Sequence, residues 1–156
     1  MAKSQKHKQG SLIPKSVANI KEEKVFLNKN IALLESWKEE GNKANIFVSL
    51  RFVNHDFQCF SQWSREEMKC FWDFQTKISN TSWQLLYSQN GKTDKVGFAY
   101  TEIKRETYPK STFKEELSPD ITLFEVRANN KIRLHGFRYQ SIFYICWLDK
   151  NHEICK

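Results

Sequence analysis

At 156 residues, with a net charge of +7 and a pI near 9.2, the chain has room for one domain with an appendage and carries the charge to meet a polyanion. A hydrophobic content of 40%, with five tryptophans and twelve phenylalanines, excludes a chain unable to build a core. No apolar run approaches the roughly 20 residues of a membrane span, so no membrane partner is expected. No apolar leader precedes the body, and four cysteines without close pairing point to free thiols in a reducing cytoplasm.

In chain order, residues 1–16 are polar, with Lys3, Lys6, Lys8 and Lys15, and are expected to form a disordered basic arm. Residues 17–44 form an N-terminal helical extension: Phe26, Leu27, Ile31, Leu34 and Trp37 recur at spacings near three and four, and Gly41 stops the helix. The main domain spans 45–156. It begins with a strand over 45–53, where Ile46, Val48, Leu50 and Phe52 alternate with Ser49 and Arg51. Ser64-Arg65-Glu66-Glu67 is a capping box that opens a helix to about residue 79, with Met68, Phe71, Trp72 and Ile78 in its apolar stripe. Thr81-Ser82-Trp83-Gln84 is a second such box, before a short helix with Leu85, Leu86 and Tyr87. Residues 90–119 are polar and lysine-rich; a strand is expected over 96–103 and loop elsewhere. Three β-like runs follow and predict a C-terminal meander.

The meander sorts its side chains. One parity of the pleat is apolar, and the other collects Glu125, Arg127, Arg133, His135, Tyr144 and His152. A three-residue loop over 129–131 pairs Ala128 with Ile132 and Arg127 with Arg133, which keeps one face apolar; a one-residue slip would mix the two sets. A second turn at Tyr139-Gln140 pairs Gly136 with Phe143, Leu134 with Ile145, His135 with Tyr144 and Arg133 with Cys146. The charged parity also carries Leu123, Phe137, Ile142 and Leu148, which suits a partly covered groove better than an open face. The fold class is α+β: two helices packed on an antiparallel sheet that ends in a three-stranded meander, with an extra N-terminal helix.

Several other motifs carry less. Asn90-Gly91-Lys92-Thr93 resembles the tail of a phosphate loop but lacks the upstream glycine, and reads as a polar turn. His55 with Cys59, and His152 with Cys155, lack the paired spacing of a zinc site, so neither a metal nor a cofactor is expected. Lys92, Lys95, Lys104, Arg105, Lys110 and Lys114, with the arm, are the expected polyanion contacts.

The order strand, two helices, meander resembles the bacterial RelE/YoeB/YafQ family of toxin endoribonucleases. The resemblance runs over residues 45–154. It rests on Arg133 within K-I-R-L-H-G-F, His152 within D-K-N-H-E-I, and Arg127 within E-V-R. The chain departs from the family in its long helix-to-meander connection, its N-terminal extension and Glu153 after the final histidine. The resemblance implies an endoribonuclease acting on mRNA, with the ribosome as a setting and a cognate antitoxin as partner. Metal-independent cleavage needs a base, an acid and cations at the phosphate. Arg133 and Arg127 would then clamp the phosphate, His152 would be acid or base with Glu125 or His135 as counterpart, and Tyr144 would stack on a base or bond to the phosphate. The alternatives are a non-catalytic basic module that binds nucleic acid or nucleoprotein, as in a mobile-element accessory, and an inhibitor whose aromatic surface meets another protein. For each residue a structural role competes: cross-strand pairing for the charged residues, packing for the aromatics.

Overall fold

The computed structural model describes residues 40–89 and 97–155. The expected arm, nearly all of the N-terminal helix, and Lys92 and Lys95 lie outside the described residues. The chain divides into two units at Glu35–Ser36, and all described residues belong to the second.

Five strands form one sheet in the order β1-β5-β4-β3-β2: β1 (Phe47–Ser49), β2 (Thr101–Glu102), β3 (Leu123–Arg127), β4 (Arg133–Tyr139) and β5 (Ile142–Asp149). The C-terminal strands β3, β4 and β5 are the expected meander. The sheet is mixed rather than antiparallel, because β1 pairs with β5 in parallel, Phe47 opposite Ile142. The strand expected over 45–53 is shorter than its alternation suggests. The chain turns after Ser49, leaving Leu50 44% exposed and carrying Phe52 to the opposite side of the sheet from Val48.

Helix α1 (Arg65–Ile78) starts at the predicted capping box: the Ser64 hydroxyl accepts from the Glu67 amide, and the Glu67 carboxylate accepts from the Ser64 amide. Its buried stripe is Phe71, Phe74 and Ile78, at spacings of three and four. Trp72 faces outward at 67% exposure, so it does not belong to the stripe. Helix α2 (Trp83–Ser88) is capped one residue later than expected, by the Ser82 hydroxyl accepting from the Leu85 amide, while Thr81 donates back to the Lys77 carbonyl. These helices cover one face of the sheet. There Phe71, Phe74, Ile78, Trp83 and Leu86 pack with Phe124, Val126, Leu134, Phe143, Ile145 and Leu148.

The second face is covered by the connection itself. Residues 104–119, expected to be loop, carry a 3-10 turn (Arg105–Thr107) and a short helix α3 (Thr112–Glu116). With Ile103 they form a strap that packs Ile103, Tyr108 and Leu117 on Leu123, Phe137 and Trp147. Arg105 holds it closed, donating to the carbonyls of Lys114 (3.3 Å), Leu117 (2.7 Å) and Ser118 (2.5 Å). The predicted strand over 96–103 contracts to the two residues of β2, paired with Phe124 and Glu125.

The β3–β4 register is the expected one, with Arg127 opposite Arg133. Asn129 stabilises the loop by accepting from the amides of Lys131 and Ile132 at 2.8 and 2.6 Å. The β4–β5 register differs from expectation twice. Its turn is Gln140-Ser141, with Gln140 at φ +53°, so Phe137 meets Tyr144 and Gly136 meets Ile145. A β-bulge beside Gly136 then shifts the pairing by one residue, with Cys146 as the extra residue. His135 therefore faces Trp147, not Tyr144, and Arg133 faces Asp149, not Cys146. Gly136 is required at this point: a Cβ there would stand 1.8 Å from the Tyr144 carbonyl oxygen.

Candidate active site

The bulge moves Asp149 onto the face that carries Glu125 and His135, and three ionisable side chains meet there under the strap. His135 and Asp149 are fully buried and Glu125 is 8% exposed. The Nε2 of His135 lies 3.7 Å from Glu125 Oε2 and 3.6 Å from Asp149 Oδ2. With two carboxylates beside Nε2, the ring proton belongs there, leaving Nδ1 to accept from the Tyr108 hydroxyl at 3.3 Å. Lys114 fastens Tyr108 by donating to its carbonyl at 3.1 Å.

Asp149 also organises the chain end. Its carboxylate accepts from the amides of Glu153 and Ile154, each at 2.8 Å. That closes the turn in which His152 adopts a left-handed φ of +56°. Gln58 braces the same turn, accepting from the Asn151 amide and donating to the Glu153 carboxylate, both at 3.0 Å. Arg133 stands at the rim, half-buried, with Nε 4.0 Å from Glu125 Oε1. Its Nη1 donates to the carbonyls of Asn129 and Ile132, which fixes the guanidinium beside the carboxylate.

Electrostatics follow from this crowding. Burial raises the Glu125 carboxyl above its ordinary value; the Arg133 charge opposes this and Asp149 adds to it. Burial lowers His135 against the pull of Asp149, so the ring is neutral. Asp149 is held below the usual carboxylate range: burial pushes it up, but the His135 interaction and the two backbone amides outweigh that. Burial and the nearby Arg133 charge lower His152, opposed by Asp149.

The expected site residues thus divide. Glu125 and Arg133 meet at one end of the sheet face, and His152 stands on the turn that Asp149 closes after β5. His135 is too deeply buried to touch a substrate and stands behind Glu125. Tyr144 lies further along, stacked on Phe137 at 5.2 Å and against Phe52 at 5.3 Å. Arg127, at the end of β3, donates to the Gly97 carbonyl at 3.3 Å. Of the expected polyanion contacts, Lys104 and Lys110 are exposed. Lys114 is buried and Arg105 is committed to three carbonyls, so both hold the strap instead. Asp149 and Tyr108 were not anticipated. The available signal for Asp149 was Gly136, since a glycine inside a strand marks a bulge and hence a change of parity.

Among the described residues no cluster of His, Cys, Asp and Glu has the makings of a metal site, and no helix is long and apolar enough to cross a membrane. No protein-family model, curated protein or solved structure matches the chain. The roles of these residues therefore rest on their own chemistry.

Proposed function

We propose that this chain is a metal-independent endoribonuclease whose working groups are Glu125, Arg133 and His152. The observation that carries the reading is the Glu125 carboxylate on β3 set 4.0 Å from the Arg133 guanidinium on β4, with His152 on the turn that Asp149 closes after β5. Glu125, raised toward neutrality, takes the proton of the attacking 2′-hydroxyl. Arg133, 4.0 Å away, stabilises the charge growing on the phosphate through its planar fork. His152 protonates the departing 5′-oxygen. Asp149 positions His152 through the turn and His135 behind Glu125. The likeness to RelE-type toxins extends the reading to mRNA on the ribosome as substrate, an antitoxin as inhibitor and the cytoplasm as location.

The chemistry sets a pH signature. Glu125 must be ionised and His152 protonated, and their values are shifted toward each other. The profile is therefore a narrow bell whose acid limb reports Glu125 and whose alkaline limb reports His152. In a cleavage assay on labelled mRNA, Arg133→Ala lowers kcat/KM about 10²–10³-fold and His152→Ala about 10²–10⁴-fold, with unchanged circular dichroism and no effect of EDTA. Full activity in both variants would sink the proposal. The low exposure of Glu125 favours the competing reading, a non-catalytic nucleic-acid-binding module; RNA bound without new ends would establish that one.

A further inference from the structure

Alongside the sheet, segments 51–56 and 110–113 enclose an open groove of about 510 Å³. Its floor is aromatic. Phe52 and Phe113 stack with ring centres 5.5 Å apart and planes at 20°, and each is only half-buried. Phe52 also rests on Phe137 and Tyr144, and Phe113 on Trp147. The floor is thus a fixed extension of the face that carries Glu125 and His135. Its rim is cationic: Arg51 stands exposed on one segment and Lys110 on the other, with His55 beside them; Asp56 is the single carboxylate among the lining residues.

The first segment leads back to the candidate active site. The Asn54 amide donates to the Cys146 carbonyl at the bulge (2.7 Å), and Gln58 braces the His152 turn. The groove runs toward the site along β5: Phe52 packs on Tyr144, five residues before Asp149, and Phe113 on Trp147, two residues before it. Single-stranded nucleic acid is the polyanion that uses both features: its phosphates take the cations and its bases take aromatic surface. An acidic peptide would use the rim and leave the rings idle.

We infer that this groove is a second nucleic-acid subsite, which holds a stretch of single-stranded RNA flanking the bond cut at Glu125, Arg133 and His152; the choice of RNA rests on the endoribonuclease reading. The groove extends the contact along the strand, so it governs affinity for long substrates and leaves the chemical step alone.

The test is fluorescence anisotropy of the full chain with a labelled single-stranded 2′-O-methyl oligoribonucleotide, whose blocked 2′-oxygen prevents cleavage. The double variant Arg51→Glu/Lys110→Glu is expected to weaken binding on the order of tenfold or more. It should also flatten the dependence of log affinity on log salt by about 1.4, from roughly 0.7 per phosphate contact on a single strand. Phe113→Leu, which keeps an apolar side chain but removes the ring, is expected to weaken binding several-fold. Unchanged affinity and slope in the double variant overturn the inference. So does an oligonucleotide that is indifferent to Phe113→Leu and fully displaced by an oligoglutamate peptide, which would mark an acidic-peptide site.

A dinucleotide, which carries the scissile bond and no flanking strand, separates the two proposals. It is expected to be cut equally by the wild type and the double variant, and not by Arg133→Ala. Groove-dependent binding with no cleavage of any RNA removes the endoribonuclease reading and leaves a single-strand site. Cleavage with an unaltered KM for long RNA in the double variant removes the groove and leaves the endoribonuclease.

Discussion

One face of the sheet buries Phe124, Val126, Leu134, Phe143, Ile145 and Leu148 under two helices, and the ionisable side chains packed against it, Cys70, Tyr87 and Tyr100, are only partly buried. The other buries Glu125, His135 and Asp149 among Leu123, Phe137 and Trp147, under a strap pinned by Arg105. Both faces are dry, but they answer to different requirements. The helix-covered face gains from every apolar atom it removes from water. The strap-covered face gives some of that gain back, because burying an ionisable group costs several kcal/mol unless partners compensate. Here the compensation is partial: Glu125 Oε2 and His135 Nε2 have no hydrogen-bond partner within normal distance. On the proposed reading, this cost is carried for the acid–base work of Glu125.

The comparison can be broken, and the largest effect is expected on the helix-covered face. Leu134→Ala should cost about 2–5 kcal/mol in urea unfolding, because a fully buried leucine leaves a cavity. A loss below about 1 kcal/mol would mean that this face is not the core. On the strap-covered face, Asp149→Asn should cost about 1–3 kcal/mol. It retains one acceptor for the amides of Glu153 and Ile154 but turns an NH₂ toward a donor, and RNA cleavage should fall with the loosened His152 turn. Equal stability and activity would make the carboxylate dispensable.

A third test uses pH. His135 is held below its ordinary 6.5, so just below pH 6.5 the unfolded chain binds more protons than the folded one. Its contribution is complete above 6.5 and lost as pH falls; His152, also lowered, adds in the same direction. Glu125, raised from 4.5, works oppositely, and its contribution is lost as pH rises through its folded value. Asp149, lowered from 3.8, contributes above that value and fails only in stronger acid. On going from pH 7 to 5 the urea midpoint should therefore fall less, or rise more, in His135→Gln than in the parent chain. An identical pH dependence in that variant would show that the buried ring is not what titrates. The smallest effect is expected at Trp72→Ser, on the outer side of α1 at 67% exposure. A change in unfolding free energy within about 0.5 kcal/mol would confirm that the helix-covered face ends at Phe71 and Phe74.

Legibility in the sequence followed the range of the interactions. The capping box at Ser64 was readable because its partners are three residues apart, and the β3–β4 hairpin because Asn129 closes its own loop. The strap was not readable. Its composition is polar, and what orders it is Arg105 reaching carbonyls nine to thirteen residues on and Tyr108 meeting His135 from another part of the chain. β2 is a strand only because β3 lies beside it.

Alternation and local turn chemistry determined, from the sequence alone, that an α+β chain ends in a meander with Glu125, Arg133 and His135 on one parity. Tertiary structure decided which residue of β5 completes that face. A single extra residue at Cys146 reverses the parity of everything after it and delivers Asp149 to His135. The bulge is held by contacts that no local pattern encodes: the close approach of the Tyr144 carbonyl to Gly136, and the Asn54 amide bonded to the Cys146 carbonyl.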